Sequence, residues 1–200
     1  ERLRITSSGS IGVGEADPSP HGGEYRGIDV GYKGSGITGR TGNATFSMRS
    51  NIYYDGSNWK YGEGNTTAGL LSVGGAQLIF YNAPSGTAGA TATITERMRM
   101  DADGRLLIAA TSGTARLHIK GSGGDGIKIE NSGGTNAATI DLKNTLSSYV
   151  QEYRIAVAGS DGAYGTAKSL FVRDQTSGAN RFEVQAGGDV RVSTGNLIIG

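Results

Sequence analysis

Apolar and polar residues alternate along this chain in short bursts separated by glycine-rich runs. Arg2-Leu3-Arg4-Ile5, Arg97-Met98-Arg99-Met100 and Arg181-Phe182-Glu183-Val184 carry the same pattern. Each is followed by a small or polar run ending in Gly9, Gly104 or Gly188, and then by a second alternating arm. A period of two sends successive side chains to opposite faces of an extended strand. Each segment therefore predicts a β-hairpin whose glycine supplies a positive-φ turn position. The copies lie 95 and then 84 residues apart, so the hairpins punctuate the chain. The expected divisions are a terminal hairpin at 1–14, a first β module at 15–109, a second at 110–193, and the start of a following module at 194–200.

Between the hairpins, strands are expected at Gly27–Tyr32, Ala44–Tyr54, Leu70–Val73, Ala76–Tyr81, Arg116–Lys120, Ala138–Lys143, Tyr153–Val157 and Ser169–Arg173. Arg116–Lys120 is expected to return through a glycine-rich turn as Ile127–Glu130. Asp17–Gly23 reads as a loop, with Asp55–Asn58 and Asn82–Gly86 as turns. Leu146, Tyr149, Val150 and Tyr153 also fit a helical spacing, which leaves a short helix near Leu146–Gln151 open. Phe80 and Tyr81 read as strand core.

Composition sharpens this picture. Glycine makes up 35 of the 200 residues, well above the average of about 7%. Glycine in a helix interior costs about 1 kcal/mol relative to alanine, so ordinary helical domains are excluded. With three prolines, collagen is excluded too. A hydrophobic fraction of 36% and a net charge of +1 do not fit disorder or a nucleic-acid footprint. With no cysteine, disulfides, thiolate nucleophiles and cysteine-ligated metals are excluded. No apolar run is long enough to span a membrane as a helix. The chain begins without methionine and ends in an apolar run, so it reads as a piece of a longer protein. Each apolar stripe is thin, and a module of this size with such small side chains buries little core alone. Association of identical chains would supply the missing face.

The candidate chemistry is sparse. Gly34-Ser35-Gly36-Ile37-Thr38-Gly39 matches a dinucleotide fingerprint, but no helix can open at Arg40-Thr41-Gly42-Asn43, and so glycine-rich a chain produces the pattern by chance about once. Asp101-Ala102-Asp103-Gly104 resembles a calcium loop. Its equivalents in the other hairpins are Thr6, Ser8, Gly9 and Gln185, Gly187, Gly188, which suit a turn and not a metal. His21 and His118 read as surface histidines with no nucleophile beside them. No cofactor, metal or catalytic residue is assigned. Asn43-Ala44-Thr45 and Asn65-Thr66-Thr67 fit the N-glycosylation pattern, to which no function is attached. The aromatic cluster Tyr53, Tyr54, Trp59 and Tyr61 is the candidate for receptor or glycan contact, because aromatic faces stack on sugars with few rotors to freeze. The competing reading is core or subunit interface, since Trp59 is the single tryptophan.

Glu1–Gly14 and Glu96–Gly104 resemble a segment common in tail fibres of tailed bacteriophages. Tyr53–Tyr61, Tyr81–Gly89, Ile155–Gly162 and Asp174–Gly178 are similar to further stretches of such fibres, and the matches touch most of the chain. The resemblance implies an all-β, elongated, intertwined homotrimeric fibre of tandem modules on the virion, extracellular when acting. Its expected partners are identical chains, other tail or baseplate proteins, and a host surface glycan or protein, with no nucleic acid and no membrane insertion. A C-terminal chaperone domain follows in many such fibres, and nothing in this chain matches it. The alternatives are a bacterial adhesin and a polysaccharide-degrading tailspike segment, whose paired carboxylates could be drawn from the chain's 18 acidic residues.

Overall fold

Alternation becomes strand almost wherever it occurs. The computed structural model describes residues 1–22, 24–121, 126–132, 137–145, 150–160 and 167–193, and among these there is no helix. The helix left open near Leu146–Gln151 and the segment 194–200 lie largely or wholly outside the described residues. The fold is all-β, in open and mostly antiparallel sheets. It divides into two compact units, Glu1–Gly126 and Ile127–Gly200. The division falls beyond residue 109 because the strand after the second hairpin stays with the first unit.

In the first unit the strands are β1 (Leu3–Ile5), β2 (Ile11–Val13), β3 (Tyr25–Val30), β4 (Gly36–Arg40), β5 (Phe46–Ser50), β6 (Ile52–Tyr54), β7 (Trp59–Tyr61), β8 (Thr66–Gly74), β9 (Gln77–Gly86), β10 (Thr95–Met100), β11 (Leu106–Ile108) and β12 (Leu117–Ile119). Ten of them form one sheet in the order β1-β2-β3-β4-β5-β8-β9-β10-β11-β12, while β6 and β7 pair separately. All neighbours in the large sheet are antiparallel except β2–β3 and β11–β12.

Register lines up one apolar residue from every strand. Ile5, Ile11, Ile28, Ile37, Met48, Leu71, Phe80, Met98, Ile108 and Ile119 stand opposite one another in a single row. A second row beside it holds Phe46, Val73, Leu78, Met100, Leu106 and Leu117. This face is the open one: Ile5 is 68% exposed and Met48 53%. Phe80, expected in the core, is exposed here as well. The opposite face is covered by the chain's own loops and by the β6–β7 hairpin. On that face Asp29, Thr38, Ser47 and Arg49 are buried on β3 to β5, and Leu107 is buried on β11. A small apolar cluster of Ile52, Tyr61, Ala68, Leu70, Ala83 and Ala92 seats the hairpin. Full burial of a side chain such as Ile52 or Leu107 contributes roughly 1.5–3 kcal/mol.

Three expected elements are corrected. Ala44–Tyr54 is not one strand, because Asn51 at φ +57° turns the chain off the sheet between β5 and β6. Asparagine tolerates that left-handed conformation. Its side chain also caps the bend, accepting the Glu63 N–H and donating to the Thr66 and Thr67 carbonyls. Asn82–Gly86 is not a turn but the end of β9. Pro84 sits where the β8–β9 register shifts, a position that needs no ladder donor. Ile127–Glu130 forms no strand; β12 pairs instead with the free edge of β11, setting Leu117 opposite Leu106.

The second unit is a five-stranded sheet in sequential order: β13 (Ala138–Asn144), β14 (Gln151–Val157), β15 (Leu170–Asp174), β16 (Ala179–Val184) and β17 (Val190–Val192). It is one-sided in the same way. Ile140, Ile155, Val172, Phe182 and Val192 form a register-matched row on the open face. Phe171, Ala156 and Ala158 are buried on the other side. Asp174 anchors the β15–β16 turn, accepting the Thr176 and Ser177 N–H groups, Gln151 and Arg181.

The hairpins β1–β2, β10–β11 and β16–β17 share their geometry. Leu3 faces Val13, Met98 faces Ile108 and Phe182 faces Val192. Gly9, Gly104 and Gly188 have φ of +82°, +72° and +92°. Their N–H groups bond the carbonyls of Thr6, Asp101 and Gln185.

Candidate functional site

Three aromatic rings meet on the covered side of the first unit. β6 and β7 pair Ile52 with Tyr61, Tyr53 with Lys60 and Tyr54 with Trp59. This sends Ile52 and Tyr61 into the small core. Tyr54 and Trp59 lie at the hairpin's far end, ring centroids 5.5 Å apart and edge-on. Tyr25, at the start of β3, joins them at 5.1 Å from Tyr54 and 6.1 Å from Trp59. Tilted and edge-to-face pairs of this kind each contribute about 0.5–1.5 kcal/mol beyond burial. All three rings are half-buried.

Charges border the trio. Arg40, opposite Tyr25 in the β3–β4 register, stacks its guanidinium 5.7 Å from the Tyr25 ring. Its Nε donates to Glu24 at 2.6 Å, and that bond raises the guanidinium's affinity for its proton. Lys33 stands 5.7 Å over the Tyr53 ring and pairs with Asp17 at 2.6 Å. Burial pushes the Tyr25 hydroxyl up from its ordinary value. In the Asp55–Asn58 loop, Asp55 accepts the Asn58 and Ser57 N–H groups, which hold its carboxyl below the usual range.

The four aromatic residues expected to act together are thus split. Tyr54 and Trp59 are in the trio, and Tyr53 lies beside it under Lys33. Tyr61 is buried, donating its hydroxyl to the Pro84 carbonyl at 2.7 Å, so it is core and not contact surface. Tyr25, Arg40 and Glu24 were not legible as members. Their only signal was parity, since Tyr25 shares the Asp29 face of β3.

Beneath this corner lies a buried ionic network. Asp29 Oδ1 accepts from Arg49 Nη2 at 2.8 Å, and Oδ2 accepts the Ser19 and Gly34 N–H groups. Arg49 Nη1 donates to the Ile52 carbonyl at 2.8 Å, tying the sheet to the hairpin. Its Nη2 also lies 3.2 Å from His21 Nε2, which stands 3.6 Å from Asp29 Oδ1. His21 is therefore buried and not a surface residue, a correction to the sequence-based expectation. The 17–22 loop folds over the charges, and Gly27 leaves room for the imidazole: a Cβ there would lie 2.8 Å from His21 Nε2. Burial pushes the Asp29 carboxyl up. The bonds from His21 and Ser19 and the Arg49 charge more than reverse this, holding it well below the ordinary carboxylate range. Desolvation lowers the Arg49 value. Ser19, His21 and Asp29 are together, but all are buried and the Ser19 hydroxyl accepts the Gly34 N–H at 2.8 Å. This is a fastening for loops and not an exposed nucleophile.

The remaining candidates resolve simply. The nucleotide-like glycine segment is the turn into β4 and β4 itself. Asp101 spends its carboxylate on the Arg105 and Asp103 N–H groups and on Arg105 Nε at 2.7 Å. His118 lies on β12, half-buried, with Nδ1 3.2 Å from the Ser112 carbonyl. No protein-family model matches the chain. No curated protein matches it either.

Proposed function

We propose that this chain is a structural and binding segment of a phage tail fibre, built of tandem β modules and acting as a homotrimer on the virion. The observation that carries the reading is the ordered series of fibre-like segments, two of which fold as hairpins whose register the β16–β17 hairpin repeats. Two open, one-sided sheets in succession support it, because their exposed apolar residues form faces that other chains can cover. Function here is geometric. Strand pairing keeps the segment stiff, and the Tyr25–Tyr54–Trp59 corner with Arg40 and Glu24 offers a sugar both a stacking edge and hydrogen-bonding charges. Three copies would turn weak contacts into firm attachment through effective concentration.

The test is competition. Purified wild-type protein is added to host cells before phage, and adsorption is counted. Protection by wild type, lost in Tyr54→Ala and Arg40→Ala variants of unchanged oligomeric mass, is the expected result. Failure of wild type to bind any susceptible host overturns the attachment reading. Equal protection by the variants moves the contact elsewhere.

A further inference from the structure

We propose that the open apolar face of the ten-stranded sheet is the surface through which copies of this chain pack on one another. The inference rests on the homotrimer reading above and names the surface that reading leaves unassigned.

The face is built in a way that solvent exposure does not explain. Ile37, Met48, Leu71 and Phe80 lie directly opposite one another across the four central strands. The row continues without a charged residue to both edges of the sheet, and the second row, from Phe46 to Leu117, holds none either. Polar residues border it: Ser50 and Asn82 follow along β5 and β9, and Arg97 donates to Asn82 at 2.8 Å. An apolar centre with a polar rim is the anatomy of an interface.

Size argues the same way. The first row crosses ten strands spaced about 4.8 Å, the second crosses six, and Leu3, Val13 and Val30 form a third across three; at about 7 Å per row along the strands they cover roughly 600 Å². The largest apolar patch on a typical monomer is about 300–600 Å², whereas a stable interface takes about 800 Å² from each partner. The patch reaches the top of the first range and about three quarters of the second.

The occupant follows from width. The five-strand face of the second unit is half as wide, so only another ten-strand face matches this one strand for strand. Every copy carries the same row, and a closed ring of copies buries all of them at once.

The chain has no cysteine, so a single introduced thiol reports its own surroundings. Met48→Cys and Phe80→Cys probe the face; Ser57→Cys, at the tip of the β6–β7 hairpin, is the control. Each is treated with a short bismaleimide, and mass is followed by light scattering. The expected result is a wild-type mass that is a multiple of 20.6 kDa, cross-linked pairs from both face variants, and none from the control. Phe80→Glu is expected to reduce the mass to one chain; if it misfolds, the cross-links decide alone. A protein that is oligomeric but cross-links only through Ser57→Cys overturns this inference and leaves the oligomeric fibre standing. A wild-type mass of 20.6 kDa overturns both.

Discussion

Replacing Asp29 with asparagine keeps the side chain's volume and removes its charge. In the folded protein Asp29 is wholly buried, and its carboxylate answers Arg49, the Ser19 N–H and the Gly34 N–H. An amide in its place keeps one acceptor oxygen but turns an NH2 group toward donors that the other oxygen served, and it leaves a buried guanidinium without its counter-charge. Breaking a buried pair from one side costs about 3–5 kcal/mol. That is a large share of the roughly 5–15 kcal/mol that holds a domain folded. At an m-value of about 2 kcal/mol/M, the urea midpoint falls by roughly 2 M. The assay is tryptophan fluorescence at fixed protein concentration. Trp59 is the only tryptophan and packs against the core that Arg49 reaches through the Ile52 carbonyl. A double-mutant cycle separates the pair from its surroundings: Asp29→Leu combined with Arg49→Met is expected to lose much less than the two single changes summed. A loss below about 1 kcal/mol in Asp29→Asn, or strict additivity in the cycle, refutes the reasoning.

Three further outcomes follow from the same geometry. The Asp29 carboxyl is held below its ordinary range, so its contribution is complete above about pH 4 and is lost as pH falls through the folded value. The wild-type urea midpoint should therefore fall on acidification below about pH 4, and Asp29→Asn should show a shallower fall; equal slopes would contradict this. Gly36→Ala should destabilise by at least about 2–3 kcal/mol, since φ there is +154° and a Cβ would meet the Ile28 carbonyl oxygen at 1.8 Å. Gly39→Ala, with open space around its Cβ, is the near-neutral control in the same denaturation assay. Tyr61→Phe should cost about 1–2 kcal/mol through the lost bond to the Pro84 carbonyl, with host-cell binding unchanged because the residue is buried.

Strand existence was legible where alternation was long. β3, β8, β9, β13, β14 and β15 all overlap expected strands, and the three hairpins stand where their repeated pattern put them. What escaped was decided by contacts distant in sequence. β4 is Gly36-Ile37-Thr38-Gly39-Arg40, with a single large apolar side chain, so periodicity had little to read. It becomes a strand because Ile28 and Met48 flank Ile37 on either side. The break at Asn51 was hidden because apolar and aromatic residues continue through it. The parallel pairing of β11 with β12 competed against a local hairpin return, and nothing local distinguishes the two.

Which face of each strand the chain itself covers was not legible either. A period of two says that a strand has an apolar and a polar face, but not which one the chain covers. Here the chain's own cover is made of glycine-rich loops, whose dense backbone donors and acceptors need partners. A polar sheet face supplies them. Asp29 takes the N–H groups of Ser19 and Gly34, and Asn51 serves Glu63, Thr66 and Thr67. An apolar face beneath the same loops would strand those groups at a cost of about 1–3 kcal/mol each. The loops therefore select the polar side, and the apolar rows are left facing outward. The aromatic corner belongs to this arrangement. Its rings rest on the loop-covered side, where Arg49 and Asp29 fix the hairpin from below. On the proposed function, attachment chemistry and chain association fall on opposite faces of one sheet, so each can be altered without touching the other.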